Sequence, residues 1–169
     1  SFDSTQSTAS DRAKLWINGV QETSFSTETY PSQNGSMQIN GNISSNLVGA
    51  YSSTNYRFSG LMAHVHWIDG TQYQASDFGE TDSTTGIWRP KTSPSVTYGT
   101  NGFFLKFENS SSMGTDSSGN TNNLTTGGTL TQTIDTPSNI FCTLNPLNGN
   151  QPTGGITSVL RYGNTEFRD

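Results

Sequence analysis

The stretch FSGLMAHVHWI, residues 58–68, decides the fold class. Leu61, Ala63, Val65 and Trp67 fall on one side of an extended chain, and Met62, His64, His66 and Ile68 on the other. Both faces look at least partly covered, which predicts an interior strand of a sandwich, closed by the turn pair Asp69-Gly70. Upstream, AKLWINGV (residues 13–20) alternates in the same way. Leu15 and Ile17 share one face, Lys14 and Trp16 the other, and Asn18-Gly19 supplies a hairpin turn. Met37, Ile39 and Ile43 mark a second short strand and LVGAY (47–51) a third.

Downstream, Ala75–Phe78 suits a single helical turn, since Ser76 and Asp77 favour local side-chain to backbone bonds. Pro90 and Pro94 break the chain over residues 89–97. GFFLKFE (102–108) then alternates Phe103, Leu105 and Phe107 against Phe104 and Lys106, which predicts a strand. Residues 109–133 are almost wholly Ser, Thr, Asn and Gly. IFCTLNPL (140–147) reads as a last ordered patch, and the tail from Asn148 carries a candidate strand at 156–162. No helix longer than a turn is predicted anywhere.

Composition agrees with an all-β reading and excludes several classes. Of the 169 residues, 83 are Ser, Thr, Asn or Gly, and Leu, Ile, Val and Phe number 31, about 18 %. That is just under the roughly 20 % at which disorder becomes plausible, but disorder also needs high net charge, and here the charge is only −5. The apolar residues cluster between Gly, Asn and Ser, as in short strands joined by long polar loops. No stretch approaches the roughly 20 apolar residues of a membrane helix, and no signal peptide opens the chain. A pI near 4.8 with no Lys/Arg cluster argues against nucleic acid. Cys142 stands alone, so no intrachain disulfide and no cysteine-rich zinc site is available. The sequons at Asn34, Asn42, Asn109 and Asn123 are no more than chance supplies in so Ser/Thr-rich a chain.

Several motifs coincide. DSTQSTASDRAKLWINGVQ (3–21), FSGLMAHVHWIDG (58–70) and DFGETDSTTGIWRPK (77–91) together resemble the concanavalin A-like, or laminin-G-like, modules of marine bacteriophage structural proteins. The last of these is the most specific. YGTNGFFLKFENSSSMGTDSSGNTNNLT (98–125) and the runs DTPSN and TLNP resemble the extension common in that group. The resemblance spans residues 1–147. It implies a jelly-roll β-sandwich, present as the C-terminal part of a module over 1–88. A Pro-containing linker (89–97), a β extension with the DSSGN loop (98–147) and a tail (148–169) follow. A complete module has strands before the 3–14 loop. The resemblance therefore implies a fragment of a longer chain, or else strands donated by a neighbour.

The function implied is a non-enzymatic virion structural protein: part of a tail fibre or capsid decoration, assembled in the host cytoplasm and working on the virion surface. Its partners would be copies of itself, with a trimer favoured, other virion proteins, and a host-surface glycan. A stand-alone lectin-like module is the alternative and a glycoside hydrolase a distant third, because this fold hosts all three. Glu80-Thr81-Asp82 is the nearest approach to a carboxylate pair, but the next acid expected of such hydrolases is replaced by Ser83, Thr84 and Thr85. Acid/base work needs two carboxyls about 5–9 Å apart with separated pKa values.

His64 and His66, the only histidines, share a strand face. They suit two nitrogen ligands to a transition metal, with Asp69 or Glu80 as a third, or else packing at a surface or subunit interface that mild acid would weaken. Asp116, Ser118 and Asn120 alternate around Gly119, as oxygen ligands do in many calcium loops. The same residues make a plain Asx or Ser/Thr turn. No cofactor other than calcium is suggested. For glycan binding, an aromatic platform beside amide acceptors selects Tyr51, Asn55 and Tyr56, with Trp16 as a further surface aromatic. Trp67 is expected in the core, and packing is the competing role for each of the others.

Overall fold

The computed structural model describes residues 1–36, 47–51 and 56–133, together with the backbone of 159–161 and 166–168. Among them, regular structure is nearly all short antiparallel strand, so the chain is of the all-β class. β1 (Leu15–Ile17) and β2 (Val20–Glu22) form a hairpin in the register Leu15↔Glu22, Trp16↔Gln21, Ile17↔Val20. Asn18 and Gly19 both take positive φ, 51° and 82°, as a tight two-residue hairpin turn demands. β3 (Val65–Trp67) is followed by the single helical turn α1 (Ala75–Phe78). Gln74 and Asp77 close a reciprocal capping box at its start. β4 (Gly79–Thr81) pairs with β5 (Trp88–Pro90), and β6 (Phe103–Leu105) returns to pair with β3. In the tail, β7 (Val159–Arg161) pairs with β8 (Glu166–Arg168).

The strand expected over 58–68 is shortened to β3. His64 sits at φ 51°, in the left-handed region that an L-residue occupies at some cost, and this turns the chain out of extended geometry. Phe58 and Leu61 are consequently open to solvent rather than inside a sheet. LVGAY is reduced to one bridge, Ala50↔Arg57. The strand expected over 102–108 is kept as β6 and stops before Phe107, whose φ is 58°. Arg89 and Pro90, expected in the linker, lie in β5, with Pro90 at the strand end where its missing N–H is tolerated. Met37, Ile39, Ile43 and the patch at 140–147 lie outside the described residues.

Two features hold the ribbons. Trp88 of β5 lies against Gly19 of the first hairpin turn and Gly79 of β4; at both glycines a Cβ would run into the indole. The core lies where the β3–β6 ribbon meets the loop after it, with Phe104, Leu105 and Met113 as its buried hydrophobics. Leu105 faces Val65 across the ribbon, and Trp67 stacks on Phe103 at 6.3 Å. Elsewhere side-chain to backbone bonds do the work that packing does not. The Arg12 guanidinium, for example, donates to the carbonyls of Gln6, Ser7 and Pro31 and closes the N-terminal loop.

Candidate functional site

The two histidines enter an aromatic cluster. His66, opposite Phe104 in the ribbon, stacks on that ring with centroids 4.0 Å apart, and Phe78 of α1 approaches at 5.2 Å. Its Nδ1 lies 2.8 Å from the Tyr98 hydroxyl. Burial, and then the neighbouring His64, holds the His66 pKa down to about 4. Burial first, then the Asp116 charge, pushes Tyr98 up to about 12, so it stays a phenol. His64 is buried edge-on to Phe104. Its pKa is lowered chiefly by desolvation, against the opposing pull of Glu108. The two imidazoles are 6.2 Å apart and nearly perpendicular. The proposed third ligands are engaged elsewhere: Asp69 accepts from the backbone and side chain of Asn101, and Glu80 from Arg89. Among the described residues no group of three or more His, Cys, Asp or Glu is placed to hold a metal ion. Both histidines pack within the aromatic cluster.

Asp116, Ser118 and Asn120 do come together, around a different chemistry. One Asp116 oxygen accepts the backbone N–H groups of Phe104 and Ser118, both at 2.8 Å. The other accepts the Ser118 hydroxyl at 2.8 Å and the Asn122 N–H at 2.9 Å. Desolvation pushes its pKa up, but these four donors together outweigh it and leave the carboxyl below its ordinary value. The Asn120 amide donates to the carbonyls of Gly99 and Gly102, and the Asn122 amide to those of Thr100 and Gly102. A calcium ion needs oxygens facing inward, whereas this carboxylate is ringed by N–H and O–H groups. The residues therefore fit an Asx-turn clasp that pins the loop to β6, and not a cation cage. Asn122 is not singled out by the sequence; its only signal there is a second Asn two positions beyond Asn120. An open groove of about 690 Å³ runs alongside, lined by Tyr98, Thr97, Thr100, Ser118 and Asn120 among others. The Ser118 hydroxyl donates to Asp116 and the Asn120 NH₂ group to the Gly99 and Gly102 carbonyls, so these donors are already engaged.

Glu80 and Asp82 meet one guanidinium, Arg89, at 3.0 and 3.2 Å. Asp82 also accepts the Thr85 and Thr84 N–H groups and the Thr85 hydroxyl, and these bonds, with Arg89, hold its pKa below the ordinary carboxylate value. A general acid needs the opposite environment.

Tyr51 and Tyr56 are brought together: the Tyr51 N–H donates to the Tyr56 carbonyl and the rings meet edge to face at 5.9 Å. They are 83 % and 81 % exposed. Asn55 lies outside the described residues. Trp16 is half-buried on its ribbon, while the opposite face, with Leu15, Ile17 and Val20, is the open one.

Fold and sites together define a β-rich chain of short antiparallel ribbons with internally bonded polar loops. Comparison with family models, with curated proteins and with solved structures finds no match to this chain.

Proposed function

We propose that this chain is a non-enzymatic structural component of a bacteriophage virion surface. It belongs to a fibre or capsid appendage and carries part of a concanavalin A-like jelly-roll sandwich, the rest supplied by a longer chain or by a neighbour. The observation that carries the proposal is the placement of apolar side chains. Three hydrophobic residues are buried among those described, while fourteen large ones are exposed, including Val20 at 72 % and Leu61 at 70 %. A monomer in water has little reason to keep such a ratio, because large exposed apolar patches mark surfaces that meet something else. Association with copies of itself and with other virion proteins would bury them. The non-enzymatic reading is supported by the Arg89 clamp on Glu80 and Asp82.

Native mass spectrometry of the purified chain tests this reading. A closed oligomer, trimer first, is expected; a stable monomer would overturn it. The lectin-like alternative draws on the exposed Tyr51–Tyr56 pair, which offers two π-faces to a sugar. Saturable glycan binding by the isolated chain, lost on Tyr56→Ala, would favour that reading instead. Sugar release abolished by Glu80→Gln or Asp82→Asn would point to the hydrolase.

A further inference from the structure

We infer that the surface built from residues 47–51 and 56–62 is the seam along which copies of this chain associate, the same surface of each copy packing about the symmetry axis of the oligomer. The inference rests on the assembly reading above and assigns it a place. Seven of the fourteen exposed large hydrophobics fall in these twelve residues, among them Tyr51, Tyr56, Phe58, Leu61 and Met62. They lie on two short segments that are joined side by side. The Ala50↔Arg57 bridge and the bond from the Phe58 N–H to the Gly49 carbonyl (2.7 Å) tie the two halves together. Met62 reaches over Gly49, the Phe58 ring lies against Gly60, and the two tyrosine rings touch.

Size and charge select a second copy as the occupant. With aromatic side chains offering 150–250 Å² each, the exposed area sums to roughly 800 Å², the share one partner contributes to a standard stable interface. The largest patch on an ordinary monomer is smaller, about 300–600 Å². From residue 29 to residue 68 there is no Asp or Glu, and Arg57 is the one charged side chain, on a chain of net charge −5. The Arg57 guanidinium lies beside Gly128, towards a different loop. Identical surfaces of this kind pack about a symmetry axis without like-charge opposition. The open face of β1–β2 is less suited, with only Leu15, Ile17 and Val20 and with Glu22 beside them. Because the seam uses Tyr51 and Tyr56, self-association here and glycan contact through that pair exclude one another.

Full-length chains carrying Phe58→Asp or Leu61→Asp, with Leu15→Asp as the control on the other apolar face, test this by sedimentation equilibrium. Indole fluorescence monitors folding, since all three tryptophans lie outside the patch. Each Asp at the seam is expected to weaken association roughly 100-fold or more, because it buries an unpaired charge, with unchanged emission. The control should leave association intact. Seam variants that stay oligomeric overturn the inference while leaving the assembly reading standing; a monomeric wild type removes both. If a seam variant unfolds, Ser59→Cys in a Cys142→Ser background replaces it. A short bis-maleimide should then link copies of the native oligomer through residue 59, and failure to link them overturns the inference. Glycan binding through Tyr51 and Tyr56 by the intact oligomer would overturn it as well.

Discussion

Removing the Asp116 carboxylate separates a structural clasp from a cation site more sharply than any other perturbation of this molecule. In Asp116→Ala the backbone N–H groups of Phe104, Ser118 and Asn122 and the Ser118 hydroxyl all lose their acceptor. The loop surface is partly wet, so water replaces most of these bonds. Phe104 is 4 % exposed, and its N–H has the least access to solvent. One poorly solvated donor left unpaired, plus the net worth of the remaining charge-assisted bonds, amounts to about 2–4 kcal/mol. Asp116→Asn keeps one carbonyl oxygen for Phe104 and Ser118 but turns an NH₂ group towards the Asn122 N–H, so it should cost about half as much. Urea unfolding followed by indole fluorescence reads this as a drop in midpoint at unchanged slope, roughly 1–2 M for the alanine variant. Run with EDTA and with excess calcium, the wild-type curves should superimpose, because a clasp whose acceptors are filled gains nothing from the ion. A calcium-dependent rise in the midpoint that Asp116→Asn abolishes would refute the clasp, since ligand binding to the native state stabilises by mass action. So would an alanine variant within about 0.5 kcal/mol of wild type, the ordinary scatter of surface substitutions.

Three further outcomes are expected. Since His66 titrates near 4 when folded and near 6.5 when unfolded, the unfolded chain takes up a proton first. Stability is therefore intact above pH 6.5 and falls from there towards pH 4, by about 1–2 kcal/mol after discounting for partial solvent screening. His66→Phe, which keeps the stack on Phe104, should remove most of that slope in urea midpoints measured between about pH 7 and pH 4. Gly79→Ala, at an extended φ but with the Trp88 indole where the Cβ would go, should cost about 1–3 kcal/mol, and Gly70→Ala, at φ 84° in open space, only the ~1 kcal/mol of backbone strain. Thermal melts of the pair that reverse this order would refute the packing of Trp88. Arg89→Ala removes a half-exposed clamp and should leave the urea midpoint within error at both low and high salt.

The parts of the fold that are legible in the sequence are those whose cause is local. Asn18-Gly19 specifies positive φ at two successive residues and so specifies the hairpin. Ser76 and Asp77 mark the turn that becomes α1, and the alternation at 102–108 locates β6. Over 58–68 the alternation overstates the strand, because it reports which side chains would share a face if the backbone stayed extended. It cannot report that His64 takes φ 51°. Phe58, Leu61 and Met62 then read as core although they are open to solvent. The candidate site divides in the same way. Asp116, Ser118 and Asn120 do meet, but half of the carboxylate's partners are backbone N–H groups of Phe104 and Asn122, which no side-chain spacing displays. The His64–His66 spacing likewise gives a shared face, while Tyr98 and Phe104, which settle what His66 does there, come from more than thirty residues away.

These two kinds of contact divide the labour of folding in a way that bears on function. Fixing a backbone costs about 1–2 kcal/mol per residue, and ordinary domains offset it by apolar burial. Here short polar side chains meet part of that cost locally. Asp3, Asp82, Asn109 and Asp116 each bond backbone N–H groups within a few residues, so the loops are shaped without a core beneath them. Such bonds set local geometry but contribute modest net free energy, about 1 kcal/mol each for neutral partners and about 1.5–3 kcal/mol to a charged group before solvent exposure is discounted. On the assembly proposed above, further stabilisation comes from covering seam side chains such as Phe58 and Leu61, which are open in the single chain. Stability should accordingly depend on protomer concentration, and variants at the seam of 47–51 and 56–62 should lower the unfolding temperature most at high protein concentration, where the wild type is fully assembled. On the assembly proposed above, such a chain shapes its own exterior and leaves its interior to be made by association.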